Sequence, residues 1–234
     1  MSICVLAERY GVKGQTLRKH CLVSLGTSAE AVIARTDDAA SRAIAHLLDD
    51  LADALGVYDR LTRQSSDTPG TPVTLQRVPS DVRAWPSRVS PCDALVLGLR
   101  VDNGPNAATD AFVREALSNL LGACDPGTRL YTLACSVPSN PASAHEQLSR
   151  IAHACEASPC TWSGGLALGG APAIAAQARA PRMGVLRRAR SEAIDRLIMA
   201  IRCGMSLDTA GPGHILPVRP TCTARVLTFL QQRA

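Results

Sequence analysis

The sequence predicts an α/β protein in which one parallel sheet is covered on both faces by helices. Apolar runs of strand length alternate with helical patterns along most of the 234 residues. Alternation of this kind builds parallel sheets through crossover connections. The run Cys92–Leu99 is almost continuously apolar, as a strand buried on both faces must be. Apolar residues make up 46% and aromatics only 3%, so the core is built from Leu, Val, Ile and Ala in the amount usual for a globular domain.

Residues 1–19 are either an N-terminal extension or, through Ile3–Leu6, an extra strand; residues 20–234 form the main domain, with no repeat or linker dividing it. The first strand is His20–Leu25. After the loop from Gly26, Thr36 or Asp37 caps a helix. Ile44, Leu47, Leu48, Leu51 and Leu55 share one face of it, and Gly56 is its expected stop. Residues 60–70 are rich in Ser, Thr, Asp and Pro and predict a surface loop. Pro72–Val78 alternates and predicts a second strand, and the proline-rich segment 79–91 is irregular. The third strand is Cys92–Leu99. Asn106 then caps a helix with Phe112, Ala116, Leu117, Leu120 and Leu121 inward.

Thr128–Cys135 is the fourth strand, residues 136–140 its exit loop, and Ala142–Ala157 a helix with Leu148, Ile151, Ala152 and Cys155 inward. The fifth strand lies within Thr161–Gly170. Met183–Met205 predicts a long helix, with Ile194, Leu197, Ile198, Ile201 and Met205 on one stripe and Gly204 near its C-cap. His214–Pro220 is punctuated by proline and predicts an extended strap.

Several function classes are disfavoured by composition. No apolar run approaches the roughly 18 residues of a membrane span. The N-terminus lacks the basic and apolar segments of a signal peptide, which predicts a cytoplasmic protein. The nine cysteines are scattered, with no Cys-x-x-Cys and no zinc spacing among the His, so no metal is expected. The net charge is +5, with Lys13 and Lys19 the only lysines. The densest basic run, Arg179–Arg190, has no aromatic interleaving and is followed by Glu192 and Asp195. It reads as a solvated helix face rather than a nucleic-acid interface.

The segment Thr161–Gly170 is the most unusual. Gly164 and Gly165 precede Leu166-Ala-Leu168, and Gly169 and Gly170 follow it. Glycine weakens a strand, so this density implies either a ligand lying against the backbone or a bend with φ > 0. The spacing is not the Gly-x-Gly-x-x-Gly of dinucleotide binding. In open α/β sheets ligands sit beyond the carboxyl ends of the strands, at the switch point in strand order. The loops there are 26–36, 100–105, 136–140 and the segment from Gly169.

These loops carry a resemblance. Gly98-Leu-Arg-Val-Asp102 followed by Pro105, Cys135-Ser-Val137 followed by Asn140, Trp162–Gly170, and Gly26-Thr-Ser-Ala29 resemble the corresponding segments of the flavodoxin-like NAD(P)H-dependent FMN oxidoreductases. The resemblance covers residues 20–220 and is strongest over 93–205. It implies a flavodoxin-like three-layer α/β/α sandwich with a five-stranded parallel sheet in the order 2-1-3-4-5. It also implies FMN as cofactor, NAD(P)H as cosubstrate, a small-molecule electron acceptor and a possible homodimer. The FMN-binding residues it implies are Thr27, Ser28 and Thr36 at the phosphate, with Leu99, Arg100, Val101, Asp102, Cys135, Ser136, Gly165 and Gly169. No catalytic side chain is required, because the flavin supplies the redox chemistry; Asp102 reads as a structural cap. The chain departs from the family where an aromatic and a proline of the flavin-facing loop become Arg100 and Gly98. It departs again where the Pro-Arg of the phosphate loop is missing and where a glycine becomes Ser136. The intact Trp162–Gly170 segment favours an FMN-dependent oxidoreductase. The altered loops favour the alternative, a degenerate module without flavin acting as a binding or assembly protein.

Overall fold

The computed structural model describes residues 5–10, 18–25, 39–65, 75–78, 93–101, 118, 126–181, 184–207, 212–223 and 226. The strands are β1 Val5–Tyr10, β2 Arg18–Leu25, β3 Leu75–Val78, β4 Ala94–Val101, β5 Arg129–Ser136, β6 Thr161–Leu168 and β7 Ile215–Val218. The helices are α1 Ala39–Ser65, α2 Ala142–Cys155, α3 Ala171–Ala176 and α4 Arg188–Cys203. The strands form one sheet in the order β3-β1-β2-β4-β5-β6-β7. Neighbours from β2 through β7 run parallel, with Leu25 opposite Leu99 and Leu99 opposite Ala134. The class is therefore α/β with a parallel sheet.

The far side of β2 differs from the expected order. β1 lies beside β2 and antiparallel to it, with Leu6 opposite Leu22. β3, expected next to His20–Leu25, pairs antiparallel with β1 instead, with Val5 opposite Val78. The reason is proximity along the chain. Only residues 11–17 separate β1 from β2, so that pairing closes a short loop at small entropic cost and moves β3 to the edge. At the opposite edge, part of the expected strap is a true strand, β7, parallel to β6. Its Pro217 lacks an N–H and suits an edge position.

Alternate residues of the central strands face different helices, as the period of two requires. Val96, Tyr131, Leu133, Cys135, Leu166 and Leu168 join one core cluster with the inward stripes of α1 and α4. On the other face α2 buries Ala144, Leu148, Ile151 and Cys155, and a Cβ on Gly165 would lie 3.2 Å from Leu148. The three layers are α1 with α3 and α4, the sheet, and α2.

Helix ends depart from the sequence expectation in physical ways. α1 does not stop at Gly56, and residues 60–65, expected as loop, are helical. A mid-helix glycine costs about 1 kcal/mol. Beyond it, Tyr58 packs on the core, and the Arg202 guanidinium sits 5.4 Å from its ring centre, a stabilising contact. α4 begins at Arg188 rather than Met183 and ends at Gly204, whose φ of 61° is left-handed. Met205 lies beyond that cap and is exposed, so it leaves the expected stripe. The Tyr131 hydroxyl reaches up from β5 and donates to the carbonyls of Ala200 (3.1 Å) and Met205 (2.7 Å). It fixes the end of α4 to the sheet and satisfies carbonyls that a helix terminus leaves open. The expected helix after Asn106 lies outside the described residues, apart from helical Ser118.

Candidate functional site

The parallel register lines up the carboxyl ends of β2, β4 and β5. It brings Leu99 between Leu25 and Ala134, Arg100 beside Cys135, and Val101 beside Ser136. The implied site residues of two separate sequence segments thus become neighbours. Leu99 and Val101 are buried and Arg100 is half-buried. Thr27, Ser28, Thr36 and Asp102 lie outside the described residues.

Cys135 points into the core cluster with α1 and α4. Burial pushes its thiol up to about 12, against the opposing effect of Arg190, so it is a packing residue and not a reactive one. The Ser136 hydroxyl is taken up by backbone carbonyls, 3.3 Å from that of Leu168 on β6 and 3.4 Å from that of Pro138 in its own exit loop.

The glycines of β6 are accommodated by the chain itself. Leu130 pairs with Trp162 but Tyr131 with Gly164, so Ser163 is an extra residue and forms a β-bulge. Gly164 adopts φ 118°, and a Cβ there would lie 2.6 Å from the Leu207 side chain and 2.8 Å from the His214 carbonyl. A Cβ on Gly165 would lie 2.6 Å from the Thr132 carbonyl, and one on Gly169 would strike the Ser139 carbonyl. Gly170, at φ 77°, faces Pro220. The Trp162 indole N–H donates to the Gly213 carbonyl at 2.9 Å, and the Gly170 N–H to that of Pro138 at 2.7 Å. Close backbone approach therefore has a structural cause at each position: β5 and Leu148 at Gly165, the 137–140 loop at Gly169, and Leu207, His214 and Pro220 at Gly164 and Gly170.

A second cluster lies where sequence reasoning placed a solvated face. Arg187 and Arg190 are 3% and 6% exposed, and Asp50 of α1 is 7% exposed. One Arg187 amino group bonds the Asp50 carboxylate; the other donates to the carbonyls of Ala178 (3.1 Å) and Ala180 (2.6 Å). This pair ties α1 to the turn before α4. The Arg190 guanidinium is pushed down to about 10, mainly by burial and then by Arg187, while Asp50 and Cys135 act the other way; it stays charged near neutrality. The signal was present in the spacing. Arg187 and Arg190 continue the stripe of Ile194, Leu197 and Ile201 at intervals of three and four, and Asp50 follows Leu47 by three. Only Arg179 and Arg188, of the described arginines in this run, fit the expected exposed face.

Arg190 also lines a cleft at the carboxyl ends of β6 and β7, with Gly169, Ile174, Gln177, Val218 and Pro220, and a cavity volume of about 20 Å³. That accommodates one water-sized group, whereas cofactor pockets hold hundreds of Å³. Among the described residues there is no group of three or more His, Cys, Asp or Glu that could hold a metal ion. None of the described helices is long and apolar enough to cross a membrane. No family model, curated protein or solved structure matches the chain.

Proposed function

We propose that the chain is a flavodoxin-like, FMN-dependent oxidoreductase that takes hydride from NAD(P)H and reduces a small acceptor, acting in the cytoplasm as a homodimer. One observation supports this above others. From β2 the chain crosses to the β1–β3 side and then returns to place β4 on the other side of β2. The crevice between β2 and β4 is therefore the switch point at which open α/β sheets hold their ligands. In sequence, Thr27 and Ser28 follow closely on β2, and Arg100 stands at the end of β4 with Asp102 next after it. Hydroxyls and backbone N–H groups in the first loop suit a phosphate monoester. The planar Arg100 guanidinium suits the face of a flat ring. Bound FMN supplies the hydride chemistry; this chain's residues orient it.

The fit is one-sided. On the β5–β6 side, Ser139 and Pro138 occupy the space above Gly169, so a flavin there meets β2, β4 and the start of the β5 exit, not β6. This closure favours the second reading, a flavodoxin-like module without flavin that serves as a binding or assembly protein. A fluorescence titration with FMN separates the two. The flavoenzyme binds FMN, and the double variant Thr27→Ala, Ser28→Ala remains folded but binds at least about tenfold more weakly. If neither the wild type nor Arg100→Tyr binds FMN at millimolar concentration, the binding-module reading replaces it.

A further inference from the structure

The cleft lined by Gln177, Arg190 and Val218 has the chemistry of an anion site. Among the described residues the buried charged side chains are Asp50, Arg187 and Arg190, two cations and one anion. Arg187 occupies Asp50. Arg190 carries the excess charge, and its Nε and Nη2 have no hydrogen-bond partner among the described residues. Those two donors form a single edge of the guanidinium, the edge that grips a carboxylate through two parallel hydrogen bonds. Gln177, 8% exposed, lines the same cleft and has an unpartnered Nε2. A buried charge and a buried amide left unpaired are costly. Both line one small cavity whose wall is mostly apolar, with Leu168, Ile174 and Val218, and which Arg219 and Thr221 also border.

We propose that this cleft binds the carboxylate of a small organic acid, gripped by the Nε–Nη2 edge of Arg190 and the amide of Gln177. The volume of about 20 Å³ takes one carboxylate oxygen, while the other oxygen and the remainder of the molecule stay at the opening. A planar group matches the guanidinium edge, and the exposed Arg219, which lines the same cleft, adds positive charge toward the opening. A tetrahedral phosphate also spans that edge, but its further oxygens would meet the apolar wall of Leu168, Ile174 and Val218. The site lies at β6 and β7, separated by β5 from the β2–β4 crevice, and it stands whether or not a flavin binds there.

The test is calorimetric titration of the full chain with acetate, butyrate and inorganic phosphate at constant ionic strength. Acetate or butyrate binds saturably with one site per chain. Arg190→Lys, which keeps the charge but loses the fork, weakens binding at least about tenfold. Gln177→Glu abolishes binding and raises the melting temperature, because it supplies the missing carboxylate internally. Its near-isosteric side chain keeps the test usable if Arg190→Lys does not fold. Three outcomes overturn the proposal: no saturable carboxylate binding at up to about 10 mM, unchanged affinity in Gln177→Glu, or phosphate bound more tightly than either carboxylate.

Discussion

Tyr131→Phe removes one oxygen atom from the centre of the molecule. In the wild type that hydroxyl serves two carbonyls at the end of α4, Ala200 at 3.1 Å and Met205 at 2.7 Å. Its loss leaves the Ala200 carbonyl only backbone donors, the Met205 N–H at 2.9 Å among them, and takes the hydroxyl from the Met205 carbonyl, which costs about 1 kcal/mol. In a chain of this size each kcal/mol lowers the melting temperature by about 2–4 °C. The penalty depends on pH. Burial, opposed by Arg129 and a hydrogen bond with Ser163, pushes the Tyr131 phenol from 10.0 up to about 12. Because the folded value lies above the unfolded one, this stabilisation is whole below pH 10.0 and is lost as pH rises through about 12. At about 1.4 kcal/mol for each pH unit, the wild type loses about 3 kcal/mol across that window, and the phenylalanine variant does not. Urea unfolding followed by circular dichroism at neutral pH and near pH 12 measures both terms. The variant is the less stable at neutral pH, and the gap closes or reverses at the alkaline end. A gap of equal size at both pH values refutes the assignment of this hydroxyl as a buried anchor.

Asp50→Asn leaves Arg187 buried beside a neutral amide and destabilises the fold by about 3–5 kcal/mol; a urea midpoint within experimental error of the wild type refutes the buried pair. Gly164→Ala places a Cβ 2.6 Å from the Leu207 side chain at φ 118° and costs about 2 kcal/mol or more. By contrast, Gly56→Ala, whose Cβ would meet only the Arg60 side chain at 3.8 Å, stabilises α1 by about 0.5–1 kcal/mol. Thermal melts of the two alanine variants shift in opposite directions, and a shift of the same sign in both contradicts the bulge and helix assignments together.

The central strands were legible because their information is local. Ala94–Val101, Arg129–Ser136 and Thr161–Leu168 are apolar runs of strand length, and the inward stripes of α1 and α4 follow helical periodicity. The position of β3 was not legible. Whether Leu75–Val78 lies against β2 or beyond β1 depends on which partner closes the shorter loop, and the sequence of β3 does not carry that. The end of α1 was missed because Gly56 is a local stop signal overridden by tertiary contacts of Tyr58. The glycines of Thr161–Gly170 were rightly singled out as marking close approach, with a ligand or a bend both open. What approaches Gly164 and Gly170 comes from residues 207–220, some 40–50 positions on, beyond the reach of any local pattern. The buried arginines were legible in spacing and hidden by residue type: charge argues for solvent until a partner such as Asp50, 137 positions away, is known.

β7 also sets the order in which the molecule can be completed. Domains emerge from the ribosome N-terminal end first, and the β1–β2 hairpin and α1 are available early. A nascent chain ending before Leu207 has β6 as an open edge, with the hollows above Gly164 and Gly170 unfilled and Trp162 without its Gly213 acceptor. Those features are satisfied only when residues 207–220 have left the exit tunnel. The sheet is thus sealed only after β7 has been made, and the exposed edge of β6 is the surface that a growing chain must protect from its neighbours until then.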